Sequence, residues 1–239
     1  MKAVRLLEHA LTKEPESVLD VGCGAGEHAR VFIGHGSQVT GLDVCEAAFE
    51  HESYEHIESP YENVELDRKF DMIWCSHTLE HIPNPQHFLI TLWNWLADDG
   101  WLAIAVPTDR QDRIHVGHAT LWNPALLMYN LITAGWDCRG AEWYTEYRSI
   151  GLIVQKTEMV DNKGHTGMPD EDGWLNKYTP VPLNHGFSAW LENNWHEDTG
   201  QRVPDPPMIT IRALETNLPP LYPLGFGPNP ELRKGYERA

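Results

Sequence analysis

From Ser17 to about Thr157 the chain alternates short apolar runs with amphipathic stretches, the pattern of strands and crossover helices in a largely parallel sheet. The apolar runs predict seven strands, at Ser17–Val21, Gln38–Asp43, Tyr54–Glu58, Phe70–Ser76 and residues 101–107, 136–144 and 150–157. A helix over residues 85–96 opens on Pro85 and gathers Phe88, Leu89, Leu92 and Leu96 on one face, so it should pack on the sheet. A second helix is expected over residues 123–134, and Val4, Leu7 and Leu11 mark an amphipathic helix within residues 1–16. Only the polar stretch Thr145-Glu146-Tyr147-Arg148 separates the last two strands, which predicts an antiparallel hairpin at a sheet edge.

Beyond Met159 the pattern changes. Eleven of the 17 prolines fall in the final 80 residues, and periodicity fades apart from residues 208–214 and a helical stretch near residues 188–195. The chain therefore divides into a main domain, residues 1–158, and an extension, residues 159–239. Trp174, Trp190, Trp195 and Tyr222 argue against simple disorder in the extension, because disordered segments are poor in large aromatics. It is expected to pack on the domain or on a partner subunit. Trp174 and Trp190 suit the roof of a substrate pocket and a homodimer contact equally well.

A formal charge of −17, from 35 acidic against 18 basic residues, opposes non-specific attraction to nucleic acid or an anionic membrane. Cys23, Cys45, Cys75 and Cys138 lack C-x-x-C spacing, so neither a zinc knuckle nor a disulfide framework is indicated, and a reducing cytosol suits them. The N-terminal stretch has no secretory apolar core, and no segment approaches the roughly 20 apolar residues of a membrane helix. The composition points to a soluble cytoplasmic protein with a small-molecule partner.

The strongest local signal is Val18-Leu19-Asp20-Val21-Gly22-Cys23-Gly24-Ala25-Gly26, an apolar strand leading into a G-x-G-x-G turn and then a helix. Glycines let the backbone turn sharply and a ligand lie against it, and the helix start offers unpaired N–H groups to a carboxylate. Asp20 would repel a pyrophosphate but attract a cationic amino group, which favours a zwitterionic amino-acid ligand; the alternative for Asp20 is a turn or helix-capping role. Asp43 closes the second strand, where a carboxylate can accept both hydroxyls of a ribose. A nicotinamide fingerprint would need G-x-G-x-x-G, and Glu27 stands where its third glycine would fall.

With these residues the chain resembles the class I S-adenosylmethionine-dependent methyltransferase family. Phe70 to Pro83 is similar to the fourth strand and following turn of the family's small-molecule and ubiquinone-type members, and Trp95 to Leu102 to their helix, glycine turn and fifth strand. The resemblance implies an α/β, Rossmann-like, seven-stranded mostly parallel sheet with helices on both faces and the Pro/Trp-rich extension appended. It implies S-adenosylmethionine as cofactor, leaving S-adenosylhomocysteine. Binding falls to Asp20, Gly22, Cys23, Gly24 and Gly26 in the turn, Asp43 and Val44 after the second strand, Ser59 and Pro60 on the adenine side, and Ser76 and His77 beside the methionine part. The Asn-Pro-Pro-Tyr-type motif of enzymes that methylate amino groups of nucleic acid or glutamine is absent after the fourth strand. The reading is a methyltransferase acting on oxygen or nitrogen of a small molecule. An inactive cofactor-binding scaffold and an NAD-dependent oxidoreductase are the other readings.

His77-Thr78-Leu79-Glu80-His81 matches the H-x-x-E-H of inverted zinc peptidases, but it directly follows a strand and Pro83 interrupts it, so no metal is expected. His115 and His118 lie after the fifth strand, where the family often sets substrate-facing residues, and either suits a general base for a hydroxyl acceptor. The bland role for His118 is to cap the 123–134 helix. Asp109 and Arg110 suit acceptor binding or loop solvation. Trp74, Trp93, Trp95 and Trp101 read as core.

Overall fold

The computed structural model describes residues 3–47, 49–108, 115–146, 149–160 and 177–179. Asp109, Arg110, the four large aromatics of the extension and the expected elements at 188–195 and 208–214 lie outside the described residues.

Seven strands form one sheet in the order β3-β2-β1-β4-β5-β7-β6: β1 Ser17–Val21, β2 Gln38–Asp43, β3 Tyr54–Glu58, β4 Phe70–Ser76, β5 Leu96–Pro107, β6 Glu142–Glu146 and β7 Ser149–Gln155. The first five run parallel, and β7 lies antiparallel between β5 and β6. The described residues hold four α-helices: α1 Val4–Leu11, α2 Glu27–Gly34, α3 Pro85–Trp95 and α4 Pro124–Thr133.

Period-2 alternation divides the core. On β4, Ile73 and Cys75 face one cluster while Met72 and Trp74 face the other; on β5, Leu102, Ile104 and Val106 oppose Ala103 and Ala105. The first cluster takes Phe88, Leu89 and Leu92 of α3 with Leu127 and Leu131 of α4, and the second takes Leu6 and Leu7 of α1 with Phe32 of α2. Both faces of the parallel region are thus covered, as parallel sheets require. Asn84 and Asn123 cap α3 and α4 by accepting from the His87 and Leu126 amides, each cap being worth about 1 kcal/mol. Asn123 therefore fills the capping role considered for His118.

Two expectations need correction. The sixth strand starts at Glu142 rather than Trp136. Gly135, at φ +102°, ends the α4 segment, and Trp136 instead plugs the core, its indole N–H donating to the Leu89 carbonyl at 3.2 Å and its ring meeting Trp93 edge-on. The apolar run that suggested a strand is a loop anchored by a tryptophan. The crossovers from β2 to β3 and from β3 to β4 also contain no α-helix among the described residues; the second carries only a 3-10 turn at Tyr61–Asn63. β3 is accordingly half-exposed along its length.

Candidate active site

The strand order reverses between β1 and β4, and in open parallel sheets ligands bind in the crevice at the carboxyl ends of the strands beside such a reversal. A cavity of about 470 Å³ lies there. Its lining comes from the ends of β1 and β2 (Val21, Gly22, Leu42, Asp43, Val44), the segment after β3 (Ser59 to Glu62) and the segment after β4 (His77, Thr78, His81, Ile82, Pro83), closed by Phe88.

The glycine turn is shaped by sterics. Gly22 has φ +74°, and a Cβ there would sit 2.0 Å from Thr78 Oγ1; Gly26 has φ +71°, and a Cβ would sit 2.3 Å from the Phe49 ring. Thr78 Oγ1 donates to the Val21 carbonyl at 3.1 Å, so the turns after β1 and β4 are tied together beneath the cavity. Asp43 Oδ2 accepts from the Gly24 amide at 2.8 Å and Oδ1 from the Cys45 amide at 3.1 Å. These two bonds fix the carboxylate at the strand end, and each oxygen keeps lone-pair capacity for a hydroxyl.

Asp20 lies beneath the turn, 2% exposed. Burial pushes its carboxyl up to about 7, the nearby Asp43 charge adds to this, and a hydrogen bond from the Ala29 amide of α2 opposes it. Its Oδ2 has no hydrogen-bond partner. One oxygen therefore serves the helix start while the other is unmatched, so the capping and ligand-binding roles do not exclude each other. A buried acceptor in this state is stabilised by a cation or donor brought to it.

His77 has φ +56°, unusual for a non-glycine residue, and is held there by three contacts. Its amide donates to the Ala105 carbonyl, Nε2 lies 3.3 Å from Ser149 Oγ, and Nδ1 lies 3.4 Å from Glu80 Oε1; the ring borders the cavity. Of the residues picked from sequence, Gly22, Asp43, Val44, Ser59, Pro60 and His77 line the cavity. Gly24 and Gly26 shape it from the turn, and Asp20 sits below. Cys23 points away toward Tyr54 and His56, its thiol pushed up by burial to about 12, which makes it an inert packing group. Ser76 is half-buried behind the lining, with an unpartnered Oγ. His118 is half-buried, its ring 5.1 Å from that of His81, and His115 is exposed, 5.3 Å from His118.

Sequence reasoning reached Tyr61 only as the end of the adenine-side stretch Glu58-Ser59-Pro60-Tyr61 and Thr78 only as part of the stretch after β4, and it passed over Glu62. Thr78 was signalled only by lying two residues past the end of a strand next to the glycine turn. Tyr61 is buried and shares a hydrogen bond between its hydroxyl and His87 Nδ1 at 3.2 Å, and its signal in the sequence was its place directly after Pro60.

The donor set fits a nucleoside bearing an amino-acid tail: a fixed carboxylate at the end of β2, an unmatched buried carboxyl oxygen below the turn, and a lining glycine, Gly22, packed so closely on Thr78 that no Cβ fits.

Residues 2–145 match the family described as methyltransferase domain. Among curated relatives, the ubiquinone biosynthesis O-methyltransferase of Glaesserella parasuis is 32% identical over 105 residues, covering 38% of this chain and 44% of the relative. That of Rickettsia akari is 29% identical over 171 residues, covering 66% and 64%. The chain thus spans less than two thirds of the length of these relatives. Among solved structures, a Burkholderia thailandensis 1,6-didemethyltoxoflavin-N1-methyltransferase with bound 1,6-didemethyltoxoflavin and S-adenosylhomocysteine superposes with a TM-score of 0.57 at 19% identity, over 66% of this chain and 78% of that one. The N-methyltransferase NodS of Bradyrhizobium japonicum, in complex with S-adenosylhomocysteine, gives 0.53 at 17% identity, over 64% and 84%. These two likenesses establish the shared fold.

Proposed function

We propose that this chain, which belongs to the methyltransferase-domain family, binds S-adenosylmethionine in the cavity at the β1/β4 reversal and methylates oxygen or nitrogen of a small molecule. The observation that carries the reading is the pairing of two carboxyls across the glycine turn. Asp43, held by two amides, presents acceptors to a ribose, and the unmatched oxygen of Asp20 receives an ammonium group. Val44, Ser59 and Pro60 border the adenine side, and His77 borders the methionine side. When bound, S-adenosylmethionine supplies a sulfonium methyl: the acceptor's lone pair makes the new bond to carbon as the carbon–sulfur bond breaks, leaving S-adenosylhomocysteine.

The residues of the chain bind, orient and exclude water, which suffices for most of the rate when donor and acceptor are held in line. The His115–His118 pair stands beside His81 at the cavity edge and takes up the proton of a hydroxyl acceptor. Oxygen is favoured as acceptor by the names of the curated relatives, and a small molecule by the chain's acidic balance. No described helix is long and apolar enough to cross a membrane, and the four cysteines are free, which accords with a cytoplasmic setting. Two of the described residues beyond 158 touch the domain: the Cys138 amide donates to the Tyr178 carbonyl at 3.0 Å, and Val160 enters the core.

The test is incubation with methyl-labelled S-adenosylmethionine and a panel of hydroxylated and aminated aromatic acceptors. Label in an acceptor with matching release of S-adenosylhomocysteine is expected. Absence of calorimetric binding of S-adenosylmethionine would overturn the reading.

A further inference from the structure

His77 stands between two hollows. One is the cavity of about 470 Å³ that its ring borders, and the other is a niche of about 10 Å³, room for a single water or carboxylate oxygen, whose lining includes Arg5, Leu6, Ala105, Ser149 and Gly151. The wall between them is one residue thick: the His77 amide donates to the Ala105 carbonyl at 2.9 Å, and His77 Nε2 lies 3.3 Å from Ser149 Oγ. Ala105 pairs with Ser76 at the end of β4, and Ser149 with Pro107 at the end of β5, so the niche sits at the same edge of the sheet as the cavity. Its outer side is the start of α1, which comes close because residue 151 is glycine. A Cβ there would sit 2.9 Å from Leu6 and 3.2 Å from the Ile104 carbonyl.

The two hollows differ in sign. Among the described residues no lysine or arginine lines the large cavity, whereas Asp43 and Glu62 do, and the buried Asp20 and Glu80 lie behind its lining. The niche carries Arg5, exposed, which forms no hydrogen bond or ion pair with any described residue. Lys13, Arg68, Arg139 and Lys156, by contrast, each hold a carboxylate, of Glu142, Glu55, Asp137 and Asp98 in turn. With 35 acidic residues against 18 basic ones, carboxylates are plentiful in this chain, yet none is set against Arg5. The helix does not account for the residue either. Arg5 stands in the first turn of α1, which has no acidic residue, and a positive charge at that end of a helix opposes the helix dipole.

We propose that Arg5 receives a carboxylate of the methyl acceptor, so that the acceptor is an anionic small molecule lying between Arg5 and the donor cavity with its nucleophilic oxygen or nitrogen beside His77. This rests on the methyl-transfer reading above and narrows its acceptor. A guanidinium presents a planar fork that takes both oxygens of a carboxylate. The charges then sort themselves along the site. The donor's sulfonium and ammonium lie among carboxylates, and the acceptor's own charge is repelled by those carboxylates and drawn to Arg5, so one end of the acceptor faces the methyl group. The same arginine repels an acceptor whose tail is an amine, which gives selectivity by exclusion as well as by attraction.

The test titrates the whole chain calorimetrically, with S-adenosylhomocysteine present, using three probes that differ chiefly in charge: 3-hydroxyphenylacetate, 3-hydroxyphenylacetamide and 3-hydroxyphenethylamine. The carboxylate should bind at least about tenfold tighter than the amide, and the amine most weakly. In Arg5→Gln the carboxylate and the amide should come within about twofold of each other, with affinity for the amide and for S-adenosylmethionine unchanged; Arg5→Lys, which keeps the charge without the fork, should retain part of the preference. For any probe that is methylated, the loss should fall on KM and leave kcat. Arg5 is exposed, so both variants should melt with the wild type. Equal affinity for the three probes, no binding of any of them, or a carboxylate preference that survives in Arg5→Gln would overturn the assignment. If the preference depends on Arg5 in a chain that does not bind S-adenosylmethionine, the carboxylate seat stands and the donor reading falls.

Discussion

The donor half of the cavity and its acceptor half are built differently. The donor half is mostly backbone: a glycine turn, strand ends and one carboxylate pinned by two amides. The acceptor half is mostly side chain, a group of histidines around a buried glutamate drawn from the segments after β4 and β5. A backbone-built region tolerates little change and should fail abruptly. A side-chain-built region can lose members singly while the other half continues to bind.

Ranked by their effect on donor affinity, four changes test that contrast. Gly22→Ala puts a methyl into Thr78 and forces an alanine into left-handed φ, so binding of S-adenosylmethionine should be lost altogether, as calorimetry would register, with the melting temperature lowered as well. Normal affinity in that variant would mean the turn is not the floor of the site. Asp43→Ala removes both ribose acceptors and frees the Gly24 and Cys45 amides; a rise in Kd of roughly 100-fold is expected, from about 3 kcal/mol of charged hydrogen bonds.

Acidity gives the third. Asp20 has its folded-state value raised from 3.8 to about 7, so between those values the folded chain binds more protons than the unfolded one. This group therefore makes the ligand-free protein less stable as pH rises through that window, and Asp20→Asn should flatten the slope of melting temperature against pH. Because a bound ammonium favours the ionised carboxylate, affinity for S-adenosylmethionine should climb by up to about tenfold per pH unit below 7 and level off above it. A pH-independent Kd from 5.5 to 8.5 would remove Asp20 from the site. The smallest effect on donor affinity belongs to His118→Gln. Its Kd should stay within about twofold of wild type while turnover falls by ~100-fold, the usual contribution of a group that handles the acceptor's proton.

The same contrast explains what could be read from the chain. Asp20, the three glycines and Asp43 sit in one stretch of 24 residues whose strand-turn-helix-strand order is written in apolar periodicity, so the donor half was visible as a contiguous pattern. The strand count, the parallel run and the edge hairpin followed from the same periodicity and from the short polar stretch before β7. Glu80 reads as an ordinary polar residue until the fold buries it, and His118 meets it only because two amides of its loop bond to the Glu80 carbonyl. No local pattern encodes such a meeting. Trp136 misled for a related reason: an apolar run cannot reveal that its indole N–H will find a carbonyl on α3.

Thermal unfolding of the chain with S-adenosylmethionine, S-adenosylhomocysteine, NAD and NADP in parallel tests the central claim most directly, because a ligand bound by the folded state raises the melting temperature whatever the acceptor is. At about 100 times Kd, the two adenosyl compounds should each raise it by about 5–10 °C and the two dinucleotides should leave it unchanged. A shift with NAD or NADP, or none with either adenosyl compound, would contradict the account.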